Sequence, residues 1–234
     1  MSAMATASSP DLALGDLALL GLLQLVSPAL PIGAFAWSQG LESAFELGWV
    51  TDESSLGDWL EGVLEDGLAM CELPVLMRQM TAWQAGDASL VAEWDRWLAA
   101  VRETRELLEE DRQLGASLTR LMGNLGLLPA TALPAAPGYV TAFAALSVQR
   151  QVLPHSAMLG FAWAWLENQL AAACKALPLG HTAAQRIVER LRPALVHAVE
   201  RAEALRDDEL GPALPGVALA SSLHETQYSR LFRS

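Results

Sequence analysis

An all-α fold is predicted for this chain, a single-domain bundle of roughly eight to ten helices. Apolar residues recur at three- and four-residue spacing along most of its 234 residues. No segment alternates apolar and polar residues with period two in a run rich in Val, Ile or Thr, so strands are not expected. Clusters of Pro and Gly punctuate the text at helix-length intervals.

Residues 1–10 are small and polar and read as a disordered start, ahead of a helical domain over 11–223 and a tail over 224–234. Leu12 to Phe35 is apolar, but no Lys or Arg precedes it, so it is not a signal peptide. Asp16, Gln24, Pro28 and Pro31 interrupt it, so it is not a membrane span. It reads as a buried helix followed by a turn. In that turn Pro28 and Pro31 fix φ, while Gly33 and Gly40 permit close backbone approach. Glu42 follows as a helix N-terminal charge or a buried hydrogen-bond acceptor.

Leu56, Trp59, Leu60, Val63 and Leu64 mark the next helix. Asp87 suits the N-cap of another, through Leu90, Val91, Trp94, Trp97, Leu98 and Val101. A charged helix over Arg102–Arg120 carries Leu107, Leu114, Leu118, Leu121 and Leu125 as its buried stripe. Arg102–Glu106 and Arg105–Glu109 are expected as i,i+4 pairs on its wet side. Gly123, Gly126, Pro129, Pro134 and Pro137 then make a loop inside the one domain. The second half restarts near Tyr139, and Pro154 opens a very apolar helix that Pro178 and Gly180 end. Thr182 with Gln185 reads as a capping box for a helix that Pro193 can kink. After Pro212, Pro215 and Gly216, a short apolar piece from Val217 to Leu223 leads to the tail.

The composition narrows the function. Net charge is -12, and 11 acidic residues precede the first basic one, Arg78. Such a front repels phosphate backbones and anionic lipid, so nucleic-acid and membrane binding are set aside. It favours a cation near its surface, though no ligand set is evident. Lys175, the only lysine, is followed by Ala176, which rules out a Walker A loop. Cys71 and Cys174 form no CxxC pattern and fit a reducing cytoplasm as free thiols. The mean hydropathy of +0.26 implies apolar surface that meets a partner.

The chain holds no HExxH, GxSxG, GxGxxG or EF-hand pattern. None of His155, His181, His197 and His224 pairs with another His or Cys at i,i+3 or i,i+4, the spacing for a metal site on one helix. His224 and Glu225 could both reach a metal, but adjacent residues rarely point to one place. Tyr228, Leu231 and Phe232 interleave with Arg230 and Arg233, the residue types that anchor interfaces. The tail either packs on its own domain or docks on a partner.

Four segments together resemble the UreF family of urease accessory proteins. They are Ser27-Pro-Ala-Leu-Pro-Ile-Gly-Ala-Phe-Ala-Trp-Ser38 with Gly40-Leu41-Glu42, then Arg102-Glu-Thr-Arg-Glu-Leu107 with Glu110-Asp-Arg-Gln113. Glu167-Asn-Gln169 with Pro178-Leu-Gly180, and the tail His224-Glu-Thr-Gln-Tyr-Ser-Arg-Leu-Phe-Arg-Ser234, complete the set. Trp37 stands where Tyr is expected, and His181 where Gln is more usual.

The resemblance implies an all-α, non-enzymatic scaffold that dimerises. It would bind UreD (UreH in some systems), recruit or regulate the GTPase UreG, and assist nickel insertion into apo-urease. Nickel would pass through the complex, and no cofactor is expected on this chain. Glu225, Gln227, Tyr228, Arg230, Leu231, Phe232 and Arg233 would meet UreD. Arg102, Arg105, Glu106, Asp111 and Arg112 would face a partner or the dimer mate, and Pro28, Pro31, Gly33, Gly40 and Glu42 would build the turn. The alternatives are a stand-alone nickel-binding chaperone or an uncharacterised helical enzyme.

Overall fold

A computed structural model describes residues 15–233; the predicted disordered start lies outside them. Among the described residues there are ten α-helices, three short 3-10 turns and no strand. The helices are α1 (Asp16–Leu25), α2 (Leu41–Glu46), α3 (Glu53–Asp66), α4 (Glu72–Ala85), α5 (Ala88–Ala100), α6 (Arg105–Asn124), α7 (Tyr139–Gln149), α8 (Pro154–Ala176), α9 (His181–Ala204) and α10 (Pro215–His224). None is long and apolar enough to cross a membrane.

Local chemistry sets most of the boundaries. Asp52 and Ser55 close a capping box on α3, and Asp87 and Thr104 accept from the backbone at the starts of α5 and α6. Pro154 and Pro215 occupy the first turns of α8 and α10, where a missing N–H costs nothing. Residues 140–147 of α7 are all buried, which makes it the central helix. It packs against α4 and α6, while α3 and α8 both lie on α9. One apolar core runs from Leu22 to Val217, so the fold is a single-domain bundle.

The structure corrects several expectations. The first helix is not buried all round: α1 sinks Ala18, Gly21, Leu22 and Leu25 but leaves Leu17, Leu19, Leu20 and Leu23 in solvent. Leu125 is 47% exposed rather than part of a buried stripe, because α6 ends one residue before it. Thr182 caps nothing, since α9 already begins at His181 with Gly180 as an N-cap lacking a side-chain bond. Pro193 lies inside an unbroken α9, on its exposed side. His224 closes α10 and so belongs to a helix; the tail proper starts at Glu225.

Candidate functional site

The turn after α1 and the tail meet at one carboxylate. Gly33, Gln39 and Gly40 all take positive φ. At Gly40 this is compounded by crowding, because a Cβ there would stand 3.0 Å from the Ser221 backbone nitrogen of α10. The chain reverses tightly and delivers Glu42 into the first turn of α2, where it is 5% exposed. Oε1 of Glu42 accepts from the Leu231 backbone N–H at 2.7 Å and from Gln227 Nε2 at 3.3 Å. Oε2 accepts from the Phe232 N–H at 3.0 Å and lies 3.2 Å from His224 Nε2.

The other ring nitrogen of His224, Nδ1, lies 2.8 Å from Glu106 Oε2, and Glu106 Oε1 accepts from Arg230 at 2.8 Å. The imidazole is fully buried between the two carboxylates. Around this clamp, the Arg233 N–H donates to Ala36 O at 2.8 Å and its guanidinium lies over Trp37. Lys175 lies over the buried Phe232 ring. Tyr228 is 105% exposed, and Glu225 and Leu231 also face solvent. In this chain the tail packs on its own domain and still shows an apolar outer side.

Arg102 does not pair with Glu106. It precedes the Thr104 cap, outside α6, and its guanidinium is buried against Glu72 and Asp111. Glu106 turns instead to His224 and Arg230. Arg105 and Glu109 form the expected exposed pair at 3.2 Å. Arg112 binds Asp95 and the Ala136 carbonyl, and Asp95 also accepts from Gly138 N and Thr141 Oγ1, which ties the 125–138 loop to the core. Of the five charged residues singled out on this segment, Arg105 alone has a largely solvent-exposed side chain; the others are engaged within the chain.

Glu110 is the group that sequence reasoning missed. It is buried, with Oε1 accepting from Gln39 Nε2 at 2.9 Å, and Gln39 Oε1 accepts from Trp165 Nε1 at 2.8 Å. Burial pushes its carboxyl up to about 7, against the opposing pull of the Gln39 hydrogen bond and Arg102. Burial likewise raises Asp111. The signal was available: Glu106, Glu110, Leu114, Leu118 and Met122 recur every four residues and are all buried.

The two nitrogens of His224 face opposite ways, so Glu42, His224 and Glu106 cannot converge on one ion. Among the described residues no group of three His, Cys, Asp or Glu is arranged to hold a metal. His155 binds Glu203 at the surface, and His181 and His197 are exposed. The geometry is that of a packed joint with apolar outer faces.

A family model described as UreF matches residues 50–192. The urease accessory protein UreF of Marinobacter nauticus is 68% identical over 94% of this chain and 96% of its own length. That of Chromohalobacter salexigens is 70% identical over 93% and 95%. That of Alkalilimnicola ehrlichii is 47% identical over 99% and 100%.

Proposed function

The chain belongs to the UreF family of urease accessory proteins, and on that premise we propose that it serves urease maturation in the cytoplasm as a scaffold without chemistry of its own. In this reading it binds UreD (UreH), pairs with a second copy, recruits or regulates the GTPase UreG, and helps nickel enter apo-urease. Nickel is cargo here, and among the described residues no three His, Cys, Asp or Glu are grouped to hold it.

The observation that carries the reading is the solvent-facing leucine side of α1. Leu17 is 84% exposed, with Leu20 and Leu23 following on the helix and Phe35 exposed in the turn beyond it. A run of large apolar side chains in water marks a surface that a protein partner covers. Tyr228 and Leu231 add the exposed side of the tail. With Glu225, Arg230 and Arg233 beside them, they have the aromatic-and-Arg character of an interface. The inward members, Gln227 and Phe232, hold that surface in place. Of the five residues singled out on the charged segment, Arg105 is the one placed to meet a partner directly; Arg102, Glu106, Asp111 and Arg112 support it from within.

The test is co-purification. UreD, UreG and apo-urease are captured with this chain as bait, using the full chain, a chain lacking residues 225–234, and a Leu17→Ser, Leu20→Ser, Leu23→Ser variant. Loss of UreD from both altered chains is expected. Full capture by both would sink the docking assignment, and turnover of a small substrate by the purified chain would sink the scaffold reading.

A further inference from the structure

Gln39 is held in a strained position. Its φ of 54° is one that residues other than glycine seldom adopt. Two helices fix its side chain there. Nε2 donates to Glu110 Oε1 of α6 at 2.9 Å, and Oε1 accepts from Trp165 Nε1 of α8 at 2.8 Å and from Gln169 Nε2 at 3.4 Å. Within three residues on either side, the same turn carries the tail. Ala36 O accepts from the Arg233 N–H, the Trp37 ring lies against the Arg233 guanidinium, and Glu42 takes the Leu231 and Phe232 N–H groups. A movement of Gln39 is therefore a movement of the seat of the tail.

The other oxygen of Glu110 sets the condition for that movement. Oε2 is sealed from solvent and has no hydrogen-bond partner among the described residues. A neutral carboxyl tolerates such a place far better than a carboxylate does. The neighbours add to the difference. Glu72 of α4 and Asp111 of α6 already share the Arg102 guanidinium, so ionised Glu110 would be a third negative charge around it. Tyr139 of α7 is buried, and its phenol is raised first by burial and then by Glu110. From α8 and the turn, Trp165, Gln169 and Gln39 bring neutral groups only, and Glu167 of α8 lies along the same cleft.

Ionised Glu110 needs water at Oε2. The nearest space is a cleft of about 310 Å³ between the end of α1, the turn after it, α6 and α8. Leu114 and Phe161 line it from helices anchored in the core, whereas Leu30, Ile32 and Gln39 line it from the turn. The turn is the wall that can yield, because the strain at Gln39 is relieved when it moves.

We propose that Gln39 and Glu110 form a proton-operated latch: a protonated Glu110 keeps the turn closed and the tail seated, and loss of the proton draws water to Oε2, swings the turn out and loosens the tail. The latch is a property of this chain alone and holds whichever partner the tail meets.

The direction follows from proton binding. Burial places the Glu110 carboxyl at about 7 in the closed form, and hydration returns it toward an ordinary 4.5. Between those values the open form binds fewer protons than the closed one, so opening grows with pH. The growth is about tenfold from pH 6 to pH 8 and levels off beyond.

Amide hydrogen exchange of the full chain, followed by NMR at pH 6 and pH 8 and corrected for intrinsic exchange, tests the latch. The reporters are the Trp37 and Arg233 N–H groups and the Trp165 indole N–H. At all three, opening is expected to rise about tenfold with pH and to exceed that of the buried amides of α7 at both pH values. Glu110→Gln still offers Gln39 an acceptor but cannot ionise, and is expected to lose the rise. In the natural chain the Glu110 carboxyl carbon shift should titrate over the same range as the opening, a check that needs no variant. The proposal is overturned by a flat response in the natural chain, by a rise that persists in folded Glu110→Gln, by a carboxyl titration outside that range, or by reporters that exchange no faster than α7.

Discussion

Glu42 and His224 stand 182 positions apart in the chain, yet 3.2 Å separates their carboxylate and imidazole. Glu42 also takes two backbone N–H groups of the tail, so one side chain organises both the end of α10 and the segment beyond it. Substituting it by Ala leaves the Leu231 and Phe232 amides and one nitrogen of His224 without an acceptor. Glu42→Ala is expected to cost about 3–5 kcal/mol, the range for breaking a buried charged cluster. Hydrogen exchange at the two amides reads the effect directly, and protection retained there would contradict the clamp.

Glu110 makes stability depend on pH. Its folded carboxyl titrates at about 7 against an ordinary 4.5. Between those values the folded chain binds more protons than the unfolded one, so stability falls as pH rises. The contribution is complete below about pH 4.5 and lost through pH 7. Glu110→Gln removes this dependence. Denaturant melts at pH 5 and pH 8 should therefore show the variant gaining on the natural chain at the higher pH, by roughly 3 kcal/mol at most.

The two arginines at the head of α6 should behave oppositely. Arg102→Ala leaves Glu72 and Asp111 uncompensated in the interior and should cost about 3–5 kcal/mol. Arg105→Ala removes an exposed i,i+4 pair and should stay within about 0.5 kcal/mol. Urea melts of the pair check this, and equal losses would mean that Arg102 does not hold Glu72 and Asp111 in the interior.

Two helix glycines give a cleaner contrast. A Cβ on Gly115 would stand 2.1 Å from the Pro137 carbonyl, which is backbone and cannot swing aside. Gly115→Ala should destabilise by about 1–3 kcal/mol through overpacking. At Gly62 nothing lies within 4 Å, so Gly62→Ala should stabilise α3 by about 0.5–1 kcal/mol. Thermal melts with shifts of opposite sign are the expected result.

Features set by neighbouring residues were legible in the sequence. Asp87 caps α5 and Pro154 opens α8, each for reasons contained in a few positions. The Arg102–Glu106 pair was misread because the i,i+4 rule requires both residues inside the helix, and Thr104 starts α6 after Arg102. The apolar text of α1 gave its helix but not its exposed side, since leucines on both faces carry little amphipathic signal. The clamp was least legible. Glu42 reads from the sequence as a helix N-terminal charge or a buried acceptor, but its partners lie 182 to 190 positions away, and no local spacing reports such contacts.

The family match over residues 50–192 outlines a stretch that invites being cut out and studied alone. The core argues otherwise. Trimming to those limits would strip Leu41 and Ala44 of α2 and Ala198, Val199 and Ala202 of α9, all with zero exposure, from beneath the remaining helices. The resulting fragment would present raw hydrocarbon where the intact chain is sealed, and it should precipitate or bind detergent. Dissection of this protein into smaller working pieces has to begin from its surface residues, because the segments flanking the matched range are part of its middle.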